Sequence, residues 1–204
     1  MNRKRLLPRL LHTLMIAGLL SWSVAGCGRP AAPLPFSGVG EGWIATQDMI
    51  RAAHEGHVVA QSNLAIRYAL GKGVPQDYKE AEKWCRVAAE KGDAKAQYNL
   101  GVMYQNDSGI VPQDNTEAEK WYRLAAEQSY AAAQFMLGRF YDEGTVVEQD
   151  NIQAHLWYNL ASAKGHREAI RARDELSQSM DAEQLAQAHE LARNWKPTAA
   201  QKVP

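Results

Sequence analysis

Residues 96–104, AQYNLGVMY, carry a pattern that occurs three times in the chain. Its alanine, leucine and tyrosine recur at spacings of 36 and 37 residues, at Ala60, Ala96 and Ala133, Leu64, Leu100 and Leu137, and Tyr68, Tyr104 and Tyr141. Within each copy these residues are four positions apart, so they fall on one face of a helix. A small residue follows each leucine and allows a second helix to approach closely. These small residues are Ala65, Gly101 and Gly138.

A second pattern, DxxxAxxWxxxAA, follows each copy of the first and predicts the partner helix. It begins at Asp77, Asp114 and Asp150 and carries its tryptophan at Trp84, Trp121 and Trp157. A Glu or Gln three residues after each aspartate predicts a capping box, in which the aspartate accepts from the first-turn amides and the Glu or Gln reaches back. The unit ends at Gly56, Gly92 and Gly165, where we expect a left-handed residue. Ser129 takes that place once, and if it keeps the left-handed conformation the expected cost is about 1 kcal/mol.

Together, these two patterns resemble the Sel-one-like repeat (SLR), a relative of the tetratricopeptide repeat. The resemblance covers roughly residues 48–165 and implies an all-α fold, a right-handed α/α solenoid of helix-turn-helix repeats used mainly to bind proteins. It divides the chain into a half-repeat cap at 46–56, repeats at 57–92, 93–129 and 130–165, and C-terminal capping helices at 166–197. We expect residues 198–204 to be a disordered tail.

The first 26 residues have the pattern of a lipoprotein signal peptide. Four cations precede an apolar run, Leu10 to Ala25, that is shorter than the ~20 residues of a membrane span. Val24-Ala25-Gly26-Cys27 resembles the bacterial lipobox, which implies lipidation at Cys27. Cleavage after Ala25 or an uncleaved anchor are the alternatives. The Pro- and Gly-rich residues 27–45 predict a tether. In lipoproteins of enterobacteria-like systems, an aspartate after the lipidated cysteine retains the protein at the inner membrane, so Gly28 at this place implies the outer membrane, facing the periplasm.

Charge and cysteine content exclude several classes of protein. Lys+Arg and Asp+Glu are equal at 23 each, but four cations and no acidic residue precede Ser23, so the mature chain is slightly acidic. This composition argues against a nucleic-acid partner. Two cysteines are too few for a disulfide scaffold. Cys85 stands where the other repeats have Tyr122 and Tyr158, which predicts a buried reduced thiol.

The sequence offers no catalytic, cofactor or metal site that we can recognise. His54 and His57 lie on either side of a glycine turn, and the sequence places no third ligand beside them. HExxH, Ser-x-x-Lys and Gly-x-Ser-x-Gly patterns are absent. We therefore expect a non-catalytic, membrane-tethered protein-protein interaction scaffold of the bacterial cell envelope. The alternative is an envelope enzyme or a glycan-binding protein acting on peptidoglycan or β-lactams.

The binding residues follow from analogy with the tetratricopeptide repeat, whose concave surface is lined by the residues two before and two after the motif leucine. Here these residues, which we name the predicted concave face, are Ser62, Ile66, Tyr98, Val102, Phe135 and Arg139. Aromatic residues and arginine are enriched at interface hot spots. We expect Tyr98, Val102, Phe135 and Arg139 to contact a protein partner. The alternative for Tyr98 and Phe135 is packing against a neighbouring helix.

Overall fold

The structure is a computed structural model that describes residues 46–106 and 111–198. These residues form nine α-helices and contain no strand. The helices are α1 Thr46–His54, α2 Val58–Leu70, α3 Tyr78–Glu90, α4 Ala94–Gln105, α5 Asn115–Glu127, α6 Ala131–Glu143, α7 Asn151–Ser162, α8 Arg167–Ser177 and α9 Ala182–Asn194. The predicted all-α fold is confirmed. The predicted signal peptide, Cys27 and the tether lie outside the described residues.

The helices pack as consecutive pairs. Helices α2 and α3, α4 and α5, and α6 and α7 form three pairs, and the second helix of each pair packs against the first helix of the next. The motif leucines, Leu64, Leu100 and Leu137, are fully buried between these helices. Helix α1 packs on α2 as a half repeat, with Ala53 fully buried. Each pair contacts mainly its neighbours along the chain, which defines a solenoid.

The second helices begin at the predicted aspartates, but half of the predicted capping box is wrong. Asp77, Asp114 and Asp150 each accept hydrogen bonds from two first-turn amides. The reciprocal bond from the Glu or Gln does not form in these three helices. The reason is that the Asp77 amide already donates to the Tyr68 carbonyl at 3.0 Å, and the other two amides donate to the corresponding tyrosines. Among the described helices, α9 has the reciprocal box, formed by Asp181 and Gln184.

The turns between repeats adopt the predicted left-handed conformation. Gly56, Gly92 and Gly165 have φ of 96°, 91° and 81°. Ser129 has φ of 69° and is the one non-glycine residue with positive φ in the described chain. Ser129 therefore has the same left-handed conformation as the glycines at the equivalent turns, and its backbone is strained because a side chain disfavours this conformation.

The last helix departs from the repeat pattern. Helix α8 packs on α7 as the first helix of a further pair would, but α9 also packs mainly against α7. Leu156 of α7 is 5% exposed and stands where the earlier repeats have the exposed Lys83 and Lys120. This apolar substitution gives α7 alone an outer face that a further helix can cover.

The chain after α9 continues along the solenoid. The Trp195 ring meets the Trp157 ring edge-on, with centroids 6.3 Å apart. The Thr198 amide then donates to the Glu127 carbonyl at the end of α5, at 3.0 Å. Residues 199–204 lie outside the described part of the chain. The C-terminal helices therefore cap repeat 3 and also reach back to repeat 2.

Candidate binding face of the solenoid

On the predicted concave face, Tyr98 of α4 is half-buried. Its ring centroid lies 5.6 Å from that of Tyr122 on α5 and 5.3 Å from that of Tyr130, which precedes α6. Burial raises the pKa of the Tyr98 hydroxyl, so this group stays neutral at ordinary pH. Tyr98 therefore packs against neighbouring residues and keeps part of its ring exposed.

Phe135 has the equivalent position in the next repeat and the equivalent contacts. Its ring centroid lies 5.8 Å from that of Tyr158 on α7, and it stacks on His166 with the centroids 4.8 Å apart. Like Tyr98, it is half-buried. The two predictions for Tyr98 and Phe135 are thus compatible, because each ring contacts neighbouring residues and is also partly exposed.

Val102 and Arg139 complete this part of the face. Val102 is partly buried against the cluster that contains Tyr98. The Arg139 side chain is 41% exposed, and its guanidinium pairs with the carboxylate of Glu143, one helical turn later. The structure therefore places Tyr98 and Val102 on α4 and Phe135 and Arg139 on α6, with side chains that are all partly accessible.

Two buried tyrosines support the aromatic side chains of this face. Tyr122 and Tyr158 are almost fully buried, and burial raises the pKa of both hydroxyls. The Tyr122 hydroxyl donates to Gln105 Oε1 at 2.9 Å, and the Tyr158 hydroxyl donates to Asp142 Oδ2 at 3.0 Å. Because both donors have acceptors, the rings are held in fixed positions beneath Tyr98 and Phe135.

Each buried tyrosine requires a glycine on the facing helix. A Cβ at Gly101 would lie 2.8 Å from the Tyr122 ring, and a Cβ at Gly138 would lie 2.6 Å from the Tyr158 ring. Both distances are below van der Waals contact. The sequence prediction that this small residue permits close helix approach is confirmed, and the group that approaches is the tyrosine ring.

Repeat 1 has a different arrangement at the same positions. Cys85 replaces the tyrosine, Ala65 the glycine, and Ala69 the acceptor of the tyrosine hydroxyl. The Cys85 thiol is buried and donates to the Ala96 carbonyl at 3.3 Å, and burial raises its pKa to about 12. The predicted buried reduced thiol is confirmed, and this thiol is a poor nucleophile. Ser62, which we expected on the predicted concave face, is 3% exposed and so cannot line it.

A row of buried glutamines joins the repeats, and sequence reasoning missed it. The side-chain Nε2 atoms of Gln61, Gln97 and Gln134 donate to the carbonyls at the end of the preceding second helix, at 2.9, 3.1 and 3.1 Å. Each glutamine follows the motif alanine directly, so the signal was present at the repeat spacing. These bonds hold each first helix against the repeat before it.

A second inter-repeat link was also missed. Arg86 pairs with Glu82 on α3 and donates to the Tyr104 hydroxyl on α4 at 3.1 Å. Arg123 pairs with Glu119 and donates to the Tyr141 hydroxyl at 3.0 Å. Two of the three motif tyrosines, Tyr104 and Tyr141, therefore accept a hydrogen bond from the previous repeat. In repeat 3, the corresponding residues are His155, Asn159 and Ser177.

Other predicted features carry little chemistry. The His54 ring meets the Trp84 ring edge-on at 5.0 Å, and His57 Nε2 lies 3.7 Å from Glu55. Residues 46–106 and 111–198 contain no cluster of three or more His, Cys, Asp or Glu that could hold a metal ion. None of the helices in these two ranges is long and apolar enough to cross a bilayer.

The fold and its internal bonds define an α-solenoid of helix pairs, and sequence comparison identifies its family. The Sel1 repeat model matches residues 58–93, 94–130 and 131–166, together more than half of the chain. The protein belongs to the Sel1 repeat family, as the resemblance predicted. Its matched repeats begin one residue after the predicted boundaries.

Solved structures agree with this assignment. The chain is 40% identical to a Sel1 repeat protein from Oxalobacter formigenes, with a TM-score of 0.60, over 63% of this chain and 96% of that one. It is 36% identical to a protective antigen of uropathogenic Escherichia coli strains that displays an SLR fold, with a TM-score of 0.66. That match covers 74% of this chain and 32% of the antigen. No curated protein matches the chain significantly.

Proposed function

We propose that the protein is a non-catalytic scaffold that binds a protein partner through Tyr98, Val102, Phe135 and Arg139. Sel1 repeats are typical of scaffolds for protein-protein interaction, and this family membership gives the general function. The observation that supports the site is the fixed position of two half-exposed rings, each resting on a buried tyrosine whose hydroxyl is hydrogen-bonded. Rings held in this way lose little side-chain entropy when they bind.

The mixed chemistry of the face favours a protein partner. The two rings and Val102 offer apolar area, and Arg139 offers directional bonds near the end of α6. The Arg139–Glu143 pair is 40% to 41% exposed, so it can exchange partners at little energetic cost. A partner segment with apolar side chains and a carboxylate that reaches Arg139 would match this arrangement.

The test begins with affinity capture of the partner from detergent-solubilised envelopes, followed by binding measurements with purified variants. Val102→Asp and Arg139→Ala should weaken binding by about 1 to 3 kcal/mol each. Lys120→Ala, on the exposed side of α5, is the matched control and should leave the affinity unchanged. Equal affinity of all three variants would refute the proposed site.

Aromatic truncations need a parallel stability measurement. Tyr98 and Phe135 each contact a buried tyrosine, so their replacement by Ala should lower the thermal midpoint as well as the affinity. Tyr98→Phe keeps the ring and its packing, and it should retain the midpoint. If the loss of binding in the alanine variants is fully explained by the loss of folded protein, these rings contribute to stability and not to binding.

We also propose that the scaffold is attached to the bacterial cell envelope by a lipid on Cys27, with the outer membrane and the periplasm as its location. The support is the lipobox-like sequence Val24-Ala25-Gly26-Cys27 after an apolar run. Cys27→Ala should abolish acyl labelling and release the protein from membranes. Membrane retention without acylation would favour an uncleaved signal anchor.

The rival proposal is an envelope enzyme or glycan-binding protein acting on peptidoglycan or β-lactams. Turnover of either substrate by the purified protein, abolished by a single polar substitution, would establish the enzyme. Cys85 is a poor candidate for a catalytic nucleophile, because its thiol is buried and its pKa is raised to about 12.

A further inference from the structure

His155 lies in α7 where the helix meets both α8 and α9. The side chain is 1% exposed, and its Nε2 atom is 3.1 Å from Ser177 Oγ on α8. The Ser177 hydroxyl donates to the Arg173 carbonyl at 2.7 Å, so it accepts from the imidazole, and the proton of the neutral ring is on Nε2. The other nitrogen, Nδ1, is buried and has no hydrogen-bond partner among the described residues.

The groups around this imidazole do not favour a positive charge. On α9, the His189 ring lies edge-on to His155 with the centroids 5.2 Å apart. On α8, Arg173 adds a cation, while the carboxylate of Asp174, which is paired with that arginine at 2.7 Å, acts in the opposite direction and makes the smallest contribution to the pKa of His155. On α7 itself, Asn159 is neutral. A proton on Nδ1 would therefore be a buried donor without an acceptor, placed between a cation and a second imidazole.

The same position in the other repeats has the opposite chemistry. Glu82 and Glu119 stand where His155 does, and each is paired with an arginine that also bonds the next repeat. In repeat 3 a neutral, buried histidine links the solenoid to its C-terminal helices. The junction at α7 therefore has a group that becomes a buried cation when it takes up a proton, whereas the corresponding groups at α3 and α5 are carboxylates paired with arginines.

We propose that the contact of α9 with α7 is an acid-sensitive latch, in which protonation of His155 releases α9 and Trp195 while the three repeats stay folded. Release uncovers the outer face of α7, including Leu156 and the edge of Trp157. The protein thereby presents an additional apolar surface in acid.

The direction of the pH dependence follows from the burial of the imidazole. Desolvation, with smaller contributions from His189 and Arg173, lowers the pKa of His155 from 6.5 to about 4 in the folded state. When α9 is released and the ring meets water, the pKa returns toward its ordinary value. The contact of α9 with α7 is therefore most stable when the pH is above the ordinary pKa of histidine, 6.5, and it loses stability as the pH falls from 6.5 toward 4.

Hydrogen exchange of the full-length protein tests the latch. Corrected for intrinsic exchange rates, the protection of α9 amides should fall about thirtyfold between pH 7.5 and pH 5 if His155 is the titrating group. Amides of α4 and α5 should keep their protection. His155→Gln, whose amide can still donate to Ser177, should keep α9 protected at pH 5. His57→Gln, an exposed histidine in repeat 1, is the matched control and should behave as the wild type.

Three results would overturn the proposal. One is the same acid loss of α9 protection in His155→Gln as in the wild type. Another is an equal loss in α4 and α5, which would indicate general acid unfolding. If His155→Gln does not fold at pH 7.5, the wild-type protein provides the test through NMR titration of the His155 imidazole. The latch is contradicted if His155 has an ordinary pKa while the α9 amides remain fully protected at pH 5, because His155 would then be protonated without releasing α9.

Discussion

Repeat 1 and repeat 2 share one helical motif but fill the space between their helices differently. In repeat 2 the large Tyr122 ring occupies that space, Gly101 makes room for it, and Gln105 accepts a hydrogen bond from its hydroxyl. In repeat 1 these three positions are Cys85, Ala65 and Ala69. The three positions therefore form one set, in which a change of one residue requires a change of the others.

The largest expected effect comes from removing the large ring. Tyr122→Cys gives repeat 2 the small residue of repeat 1 without the compensating alanines, and it should destabilise the protein by about 3 to 5 kcal/mol. The measurement is the free energy of unfolding in urea. Cys85→Ala in repeat 1 is the control and should cost much less, because fewer atoms are removed. Equal losses for the two variants would contradict the distinction between the repeats.

The next effect tests whether glycine and tyrosine belong to one set. Gly101→Ala places a Cβ 2.8 Å from the Tyr122 ring and 3.2 Å from the Ala118 carbonyl oxygen, and it should destabilise by about 1 to 3 kcal/mol. Adding Tyr122→Cys relieves the ring contact, so the double variant should be more stable than the sum of the single losses predicts. Strict additivity in the urea experiment would mean that the ring is not what Gly101 accommodates.

A smaller effect separates repeat 2 from repeat 3 at the glutamine row. Gln97 donates to the Ala89 carbonyl and also accepts from Gln128 at 2.7 Å, whereas the Oε1 atom of Gln134 is buried without a partner. Gln97→Ala should therefore destabilise the protein by about 0.5 to 1.5 kcal/mol, and Gln134→Ala by less. Thermal midpoints of the two variants give the order. The reverse order would show that the second hydrogen bond contributes nothing.

The smallest effect concerns the turns that end repeats 1 and 2. Ser129→Gly removes the strain of a side chain at φ 69° and should stabilise the protein by about 0.5 to 1 kcal/mol. Gly92→Ser introduces the same strain in repeat 1 and should lower the thermal midpoint. A lower midpoint for Ser129→Gly would show that the serine side chain makes a stabilising contact.

The sequence alone predicted the helices, their pairing and most of their ends, because alanine, leucine, tyrosine and tryptophan recur at a fixed period. It also predicted the burial of Cys85 and the left-handed turns at Gly56, Gly92 and Gly165. These predictions succeed because local geometry and the repeat spacing determine them.

The missed features depend on distances between helices, which periodicity does not supply. Nothing in the spacing shows that the Asp77 amide is already bonded to Tyr68, or that Ser62 becomes buried. The position of α9 on α7 was also missed, although Leu156 in place of a lysine was a visible signal. For the proposed binding site, the sequence predicted Tyr98 and Phe135, and the structure added the buried tyrosines on which these rings pack.

The glutamine bonds also bear on how such an array can lengthen. Each glutamine donates to a backbone carbonyl of the preceding repeat, an acceptor that every residue provides. The residues that must match in size, Gly101, Gln105 and Tyr122, all lie within a single repeat. A gene duplication that copies one repeat therefore copies all three of these residues together. The new repeat also finds a backbone carbonyl in the preceding repeat that can accept the hydrogen bond from its glutamine. Internal duplication can extend this scaffold, and with it the number of exposed rings, without new compensating substitutions.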